Sequence, residues 1–114
     1  MSISIYHNPR CSKSRAALAL LASKTQDYTV LDYLKNPITA AELTDLLQKL
    51  NMKPVDLLRK NEAVYKDLIK GKNLTDRQLI ETMVAQPKLI ERPIIVNGAK
   101  AVIGRPAEKL LEVL

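Results

Sequence analysis

The 114-residue sequence predicts an α/β domain with a mixed four-stranded sheet. Three observations predict it. Short apolar runs of strand character stand near both ends of the chain, leucines recur at helical spacing through the middle, and Asn97-Gly98 separates the last two apolar runs. The implied order is a βαβ unit, an all-helical insertion over about 39–87, then a C-terminal β-hairpin and helix. A chain of this length makes one domain, 1–114.

Ile3 to Tyr6 is the first strand, with Ile3 and Ile5 on one face, and Asn8-Pro9 breaks it. Strong helix formers run from Ser12 to about Ser23, with Ala17, Leu18, Leu20 and Leu21 as the apolar side. Tyr28 to Tyr33 reads as a second strand, and strand-helix-strand over so few residues implies a parallel pair with a right-handed crossover. Thr39 and Glu42 form a capping-box signature ahead of Leu43, Leu46, Leu47 and Leu50. Pro54 starts a short helical turn through Leu58. Asn61 is placed to cap another helix, with Val64, Tyr65, Leu68 and Ile69 inward and Gly71 at its end. Thr75 and Gln78 make a second capping box before Leu79, Ile80, Met83 and Val84. Pro93 to Val96 and Ala101 to Ile103 pair around Asn97-Gly98. Pro106 suits the first position of a last helix that buries Leu110, Leu111 and Leu114. This order is that of a thioredoxin-like fold.

Composition removes several classes of function. Apolar residues make up 46% and fall in periodic clusters, so the chain folds. The only aromatics are tyrosines, so the core rests on Leu, Ile, Val and Ala. A net charge of +6 favours anionic partners, but the lysines are spread evenly and no DNA or RNA motif is present, so nucleic acid is not expected. One cysteine excludes an internal disulfide and an all-cysteine zinc site. No apolar run reaches membrane-spanning length and no signal peptide is evident, which makes the cytoplasm the expected location.

Cys11 falls between the first strand and the first helix. First-turn amides have no intrahelical partners and the helix dipole favours negative charge there, so both stabilise a thiolate. Arg10, Lys13 and Arg15 add positive charge within four residues, and the polar neighbours Arg10, Ser12 and Lys13 argue against an inert buried thiol. His7 is the only histidine. It is placed to hydrogen-bond the thiolate, to shape the loop, or to do neither. Ser14 stands where a Cys-x-x-Cys motif has its second thiol, so Cys11 lacks an internal resolver and any adduct needs an outside thiol. The Ser14 hydroxyl reads equally as a hydrogen-bond donor or as plain helix surface. Arg59, Arg92 and Arg105 precede or follow marked positions, and Arg92 and Arg105 abut the two ends of the hairpin. Arginine's planar fork suits a tetrahedral oxyanion.

The segment Ile5-Tyr6-His7-Asn8-Pro9-Arg10-Cys11-Ser12-Lys13-Ser14-Arg15 resembles the active-site segment of the glutathione- and glutaredoxin-dependent arsenate reductase family. Leu57 to Asn61, Leu89 to Val96 and Gly104-Arg105-Pro106 resemble its further blocks, in order. The chain departs from the family's best-characterised members in having Ser12-Lys13 where they have Gly-Thr. The resemblance implies that Cys11 is the nucleophile toward arsenic and that His7 helps keep it ionised. Arg59, Arg92 and Arg105 would bind the anion, with the amides of Ser12, Lys13, Ser14 and Arg15. It also implies a cis peptide at Arg92-Pro93. Glutathione is then a co-substrate and glutaredoxin a partner, with no bound cofactor, no metal and a monomeric chain. Two alternatives share the fold: an Spx-like transcription regulator, against which the absent Cys-x-x-Cys switch argues, and a glutathione-dependent thiol transferase acting on another substrate.

Overall fold

Strand β1 (Ile3–His7) pairs parallel with β2 (Tyr28–Asp32) on one side and antiparallel with β3 (Ile94–Asn97) on the other. Strand β4 (Lys100–Ile103) adds beyond β3, giving the order β2-β1-β3-β4. The structure, a computed structural model, describes residues 3–114. Helix α1 (Ser12–Lys24) makes the crossover that a parallel pair requires. The hairpin closes at the Asn97 and Lys100 pair, where Gly98 takes φ +62, a conformation other residues rarely adopt. Asn97 Nδ2 donates to the Val113 carbonyl at 2.6 Å and so ties the hairpin tip to the C-terminal segment.

The core of this unit joins Ile5, Ala17, Leu21, Ile95, Leu110 and Val113, with Ile3, Leu18, Leu20, Tyr28 and Val102 packed against it. Strand alternation puts Ile3, Ile5 and His7 on one face of β1, so the strand runs one residue past the apolar pattern and ends on a buried histidine. Gly104 sits close against β3 and α1. A Cβ there would lie 2.8 Å from the Ile95 side chain and 3.3 Å from that of Ala17. The C-terminal segment is a 3-10 helix, Ala107–Val113, with Pro106 as its cap and not its first residue. Its three-residue turn buries Leu110 and Val113, three apart, and leaves Leu111 and Leu114 exposed, contrary to the expectation for an α-helix.

Residues 37–91 form a second compact unit. It comprises α2 (Ala40–Leu50), a 3-10 turn (Pro54–Leu57), α3 (Ala63–Leu68), α4 (Asp76–Ala85) and a 3-10 turn (Pro87–Leu89). Helices α2 and α4 pack together through leucine stripes, with Leu43, Leu46, Leu47, Leu79 and Met83 buried. Both threonines cap their helices, but only Thr75 and Gln78 form the full reciprocal box; Glu42 accepts from the Thr39 hydroxyl and not from its amide. Helix α3 does not follow its expected pattern. It starts after Glu62, not Asn61, with no side-chain cap, and buries none of its residues. A six-residue helix has too few turns to present a stripe; the buried side chain is Ile69, just beyond its end. Gly71 takes φ +78 in the turn that follows, three residues past Leu68, so it does not end the helix as expected. No helix among the described residues is long and apolar enough to cross a membrane.

Candidate active site

Strand β1 delivers His7 to the end of the sheet, and a tight turn then carries the chain into α1. The Cys11 amide donates to the Asn8 carbonyl at 3.0 Å, and the Arg10 amide donates to Asn8 Oδ1 at 3.0 Å. Asn8 thereby organises the turn through both its backbone and its side chain. Arg15 braces it from the helix, donating from Nη1 to the Pro9 carbonyl at 2.9 Å. Cys11 occupies the N-cap position, with extended backbone (φ −94, ψ 122), and its carbonyl accepts the Arg15 amide at 3.0 Å. Its side chain makes no conventional capping bond and remains partly exposed.

The surroundings favour the ionised sulfur. Burial pushes the Cys11 thiol up, but the Ser14 amide, the Arg92 guanidinium donating to sulfur, the Lys13 amide and the Arg92 charge together outweigh it. The net result is a thiol held below its ordinary value. Arg92 reaches this position from two residues before β3, across a cis Arg92-Pro93 peptide; Arg105-Pro106 is cis as well. The hairpin brings those two arginines to one end. Ile94 pairs with Ile103, and the Gly104 amide donates to the Pro93 carbonyl at 2.9 Å, so each arginine lies two residues outside the same pair. In β1, Tyr6 pairs with Ile94, which sets His7 at that end too.

His7 is buried, and its Nδ1 lies 2.6 Å from Ser14 Oγ. Burial lowers its pKa; Asp32, its register partner on β2, raises it, and Arg15 lowers it again. The balance is downward, so the imidazole is neutral at neutral pH. Ser14 is completely buried, and its Oγ also accepts the Asn8 amide at 3.0 Å. Ser12, Lys13 and Arg15 are exposed around the sulfur. No cluster of three or more potential metal-ligating side chains exists among the described residues.

A partly exposed thiol at an uncapped helix start, with an arginine turned onto it, is what the resemblance leads one to expect. The family model described as the ArsC family matches residues 6–113. The chain belongs to the ArsC family. It is 47% identical over 114 residues to an uncharacterised Escherichia coli K12 protein, YfgD, covering 98% of this chain and 96% of that one. It is 41% identical to the arsenate reductase of Haemophilus influenzae over the whole of both chains. The solved structure of the arsenate reductase from Vibrio cholerae superposes with a TM-score of 0.95 at 45% identity, covering 100% of this chain and 98% of that one.

In this ArsC-family chain the structure gathers Cys11, His7, Ser14 and Arg92 into one contact network, with Arg105 at the same end of the hairpin. Arg59 belongs to the helical unit. There its Nη1 lies 3.4 Å from Glu62 and its Nε 3.3 Å from Glu91, and its amide donates to the Leu89 carbonyl at 2.7 Å. One residue of the network, Asn8, escapes the sequence reading, and the hydroxyl of a second, Ser14, is left open in it. Asn8 is legible there only as a strand breaker. Ser14 could have been found, because Ser14, Ala17, Leu18 and Leu21 stand at i, i+3, i+4 and i+7, and a serine that opens a buried stripe is not helix surface.

Proposed function

We propose that this chain reduces arsenate to arsenite with the Cys11 thiolate as nucleophile, and that glutathione and glutaredoxin complete the cycle. The observation that carries the reading is the convergence of the Arg92 guanidinium and the first-turn amides of Lys13 and Ser14 on the Cys11 sulfur. The same donors that stabilise a thiolate suit a bound tetrahedral anion, and they match charge that develops on oxygen during attack. Arg105, at the same end of the hairpin, supplies a further cation, and Arg59 is assigned to anion binding by its match to the family's motif.

The thiolate attacks arsenic, a sulfur–arsenic bond forms, and one arsenate oxygen leaves as water. Glutathione then attacks the Cys11 sulfur. The sulfur–arsenic bond breaks, its electron pair stays with arsenic, and arsenite departs, leaving a Cys11–glutathione disulfide. Arsenic has gained two electrons and two thiols have been oxidised. Because the chain holds a single cysteine, the disulfide is resolved from outside, and glutaredoxin returns Cys11 to the thiolate. No resident cofactor enters this scheme. The enzyme works as a cytoplasmic monomer in this reading.

The test is steady-state turnover with arsenate, glutathione and glutaredoxin. The expected result is arsenite production that requires all three and Cys11. Turnover of a glutathione mixed disulfide without any arsenate turnover would replace this reading with that of a thiol transferase.

A further inference from the structure

The fully buried hydroxyl of Ser14 has no part in the scheme above, yet it stands at the centre of the polar network beside the sulfur. Ser14 opens the buried stripe of α1, so its side chain turns toward the end of β1 and away from any substrate. Its oxygen accepts the Asn8 amide at 3.0 Å. A hydroxyl carries one proton, and the group within reach of that proton is His7 Nδ1, at 2.6 Å. With the serine proton directed to it, the neutral ring accepts at Nδ1 and carries its own proton on Nε2. Asn8 in turn receives the Cys11 amide at its carbonyl and the Arg10 amide at its side chain. The backbone amide of Ser14 faces the sulfur itself. One residue thus touches the reactive group through its backbone and fixes the preceding turn through its side chain.

We infer that Ser14 is a positioning residue, whose buried hydroxyl locks His7 and the Asn8 turn together and so holds the first-turn amides in register with the Cys11 sulfur. The inference rests on Cys11 being the working thiolate and not on arsenate as substrate. It assigns His7 an indirect role: the ring serves as the acceptor that orients Ser14, and it does not touch the sulfur through this bond. It also predicts coupling to pH. A proton added at Nδ1 makes the ring a donor to Ser14 Oγ, and the serine proton must then turn away into a closed site. The charged groups facing His7 are Asp32 across the β1–β2 pairing and Arg15 on α1, and they act in opposite directions. Acidification through the His7 titration should therefore loosen the turn and slow the thiolate beyond the effect of protonating sulfur alone.

The chain has one histidine and one cysteine, so each titration is read without ambiguity. In the intact protein at neutral pH, nitrogen-15 NMR of labelled histidine should show Nδ1 unprotonated and Nε2 protonated; the opposite tautomer overturns the inference. Ser14→Ala keeps the backbone amide, so a purely backbone role leaves Cys11 unmoved. The expected result is iodoacetamide alkylation slowed at least about threefold at pH 7, the scale of one lost organising hydrogen bond, with the thiol titration displaced upward. A folded Ser14→Ala protein with an unchanged Cys11 titration also overturns it. If that variant does not fold, His7 variants decide. His7→Ala should slow alkylation, and His7→Asn, which sets an amide oxygen where Nδ1 lies, should restore most of the rate and remove the low-pH limb. Equal slowing in both defeats the proposal. No arm uses arsenate, so these outcomes stand apart from success or failure of the reductase reading.

Discussion

Helix α1 of the sheet unit and helices α2 and α4 of the helical unit begin in opposite ways. In the helical unit α2 and α4 close their own first turns: Thr39 Oγ1 accepts the Glu42 amide at 3.1 Å, and Thr75 Oγ1 accepts the Gln78 amide at 3.2 Å. Gln78 Oε1 completes the second box by accepting the Thr75 amide at 2.8 Å. Each of these turns also carries an acid, Glu42 or Asp76. In the sheet unit α1 starts at a cysteine, with no conventional capping bond and no acid in its first turn. Orphan amides that α2 and α4 satisfy with hydroxyl oxygen are left for sulfur and for whatever anion the sulfur meets. The difference teaches that a helix start becomes reactive by what is withheld from it. A strong cap and a local carboxylate would consume the donors that the chemistry needs.

The largest test of this contrast removes the thiolate. Cys11→Ser should abolish arsenate turnover in the coupled assay while the protein stays folded, because a hydroxyl is not ionised near neutral pH. Residual turnover above a few per cent would show that the uncapped turn is not the reactive site. Next in size is the cation that replaces the missing acid. Arg92→Ala should cut the arsenate rate at least about tenfold, or ~1.4 kcal/mol, and raise the Cys11 titration measured by alkylation. Lysine at that position should rescue only part of the loss, since a point charge lacks the guanidinium fork. Arg105→Ala sharpens the comparison. Arg92, not Arg105, is the arginine that lowers the thiol's pKa by bond and by charge, so loss of Arg105 should reduce turnover while moving the Cys11 titration less than loss of Arg92 does.

The contrast also explains what the sequence made legible. The threonine caps of α2 and α4 are local events, complete within four residues, and both threonines cap, with the full box at Thr75. The hairpin at Asn97-Gly98 is equally local. Cys11 at a strand-to-helix junction could be read because its function depends on its place in the chain. The turning of Arg92 onto the sulfur depends on β3 pairing with β1, a contact between residues nearly ninety positions apart, so only its place at the hairpin end and the motif resemblance pointed to it. For Ser14 and His7 the sequence left the role open, for a different reason. Polar residues extend the apolar periodicities of α1 and β1 by one step, and burial of the pair pays through mutual hydrogen bonds that no single-residue pattern displays. The C-terminal helix was misread in its period, since leucines at 110, 111 and 114 suggest an α-helix and the chain folds as a 3-10 helix.

A smaller effect is expected where a cap serves stability alone. Thr75→Ala should lower unfolding free energy by about 1 kcal/mol and leave the Cys11 alkylation profile untouched. A shift of that profile would mean that the capped helix start is coupled to the reactive one, contrary to the division of labour drawn above.

The smallest expected effect turns the comparison around, by giving α1 the kind of cap that α2 and α4 possess. Serine is among the favoured N-cap residues, and its oxygen accepts first-turn amides at a length that sulfur does not match. At acid pH, where Cys11 is a neutral thiol, Cys11→Ser should therefore be more stable than the parent by roughly half a kcal/mol. The sign then works against the variant as pH rises. The folded-state pKa of Cys11 lies below its unfolded value, so the unfolded chain binds more protons between the two. The parent thus gains stability as pH climbs through the folded pKa, holds it in full above the unfolded value, and loses it on acidification. Serine has no such gain. Denaturant melts of both proteins across that window should show the advantage of Cys11→Ser shrinking with increasing pH and then reversing. Parallel stability curves would mean that the amides and Arg92 do not favour the thiolate over the thiol, and that the uncapped start of α1 is merely a weak helix end.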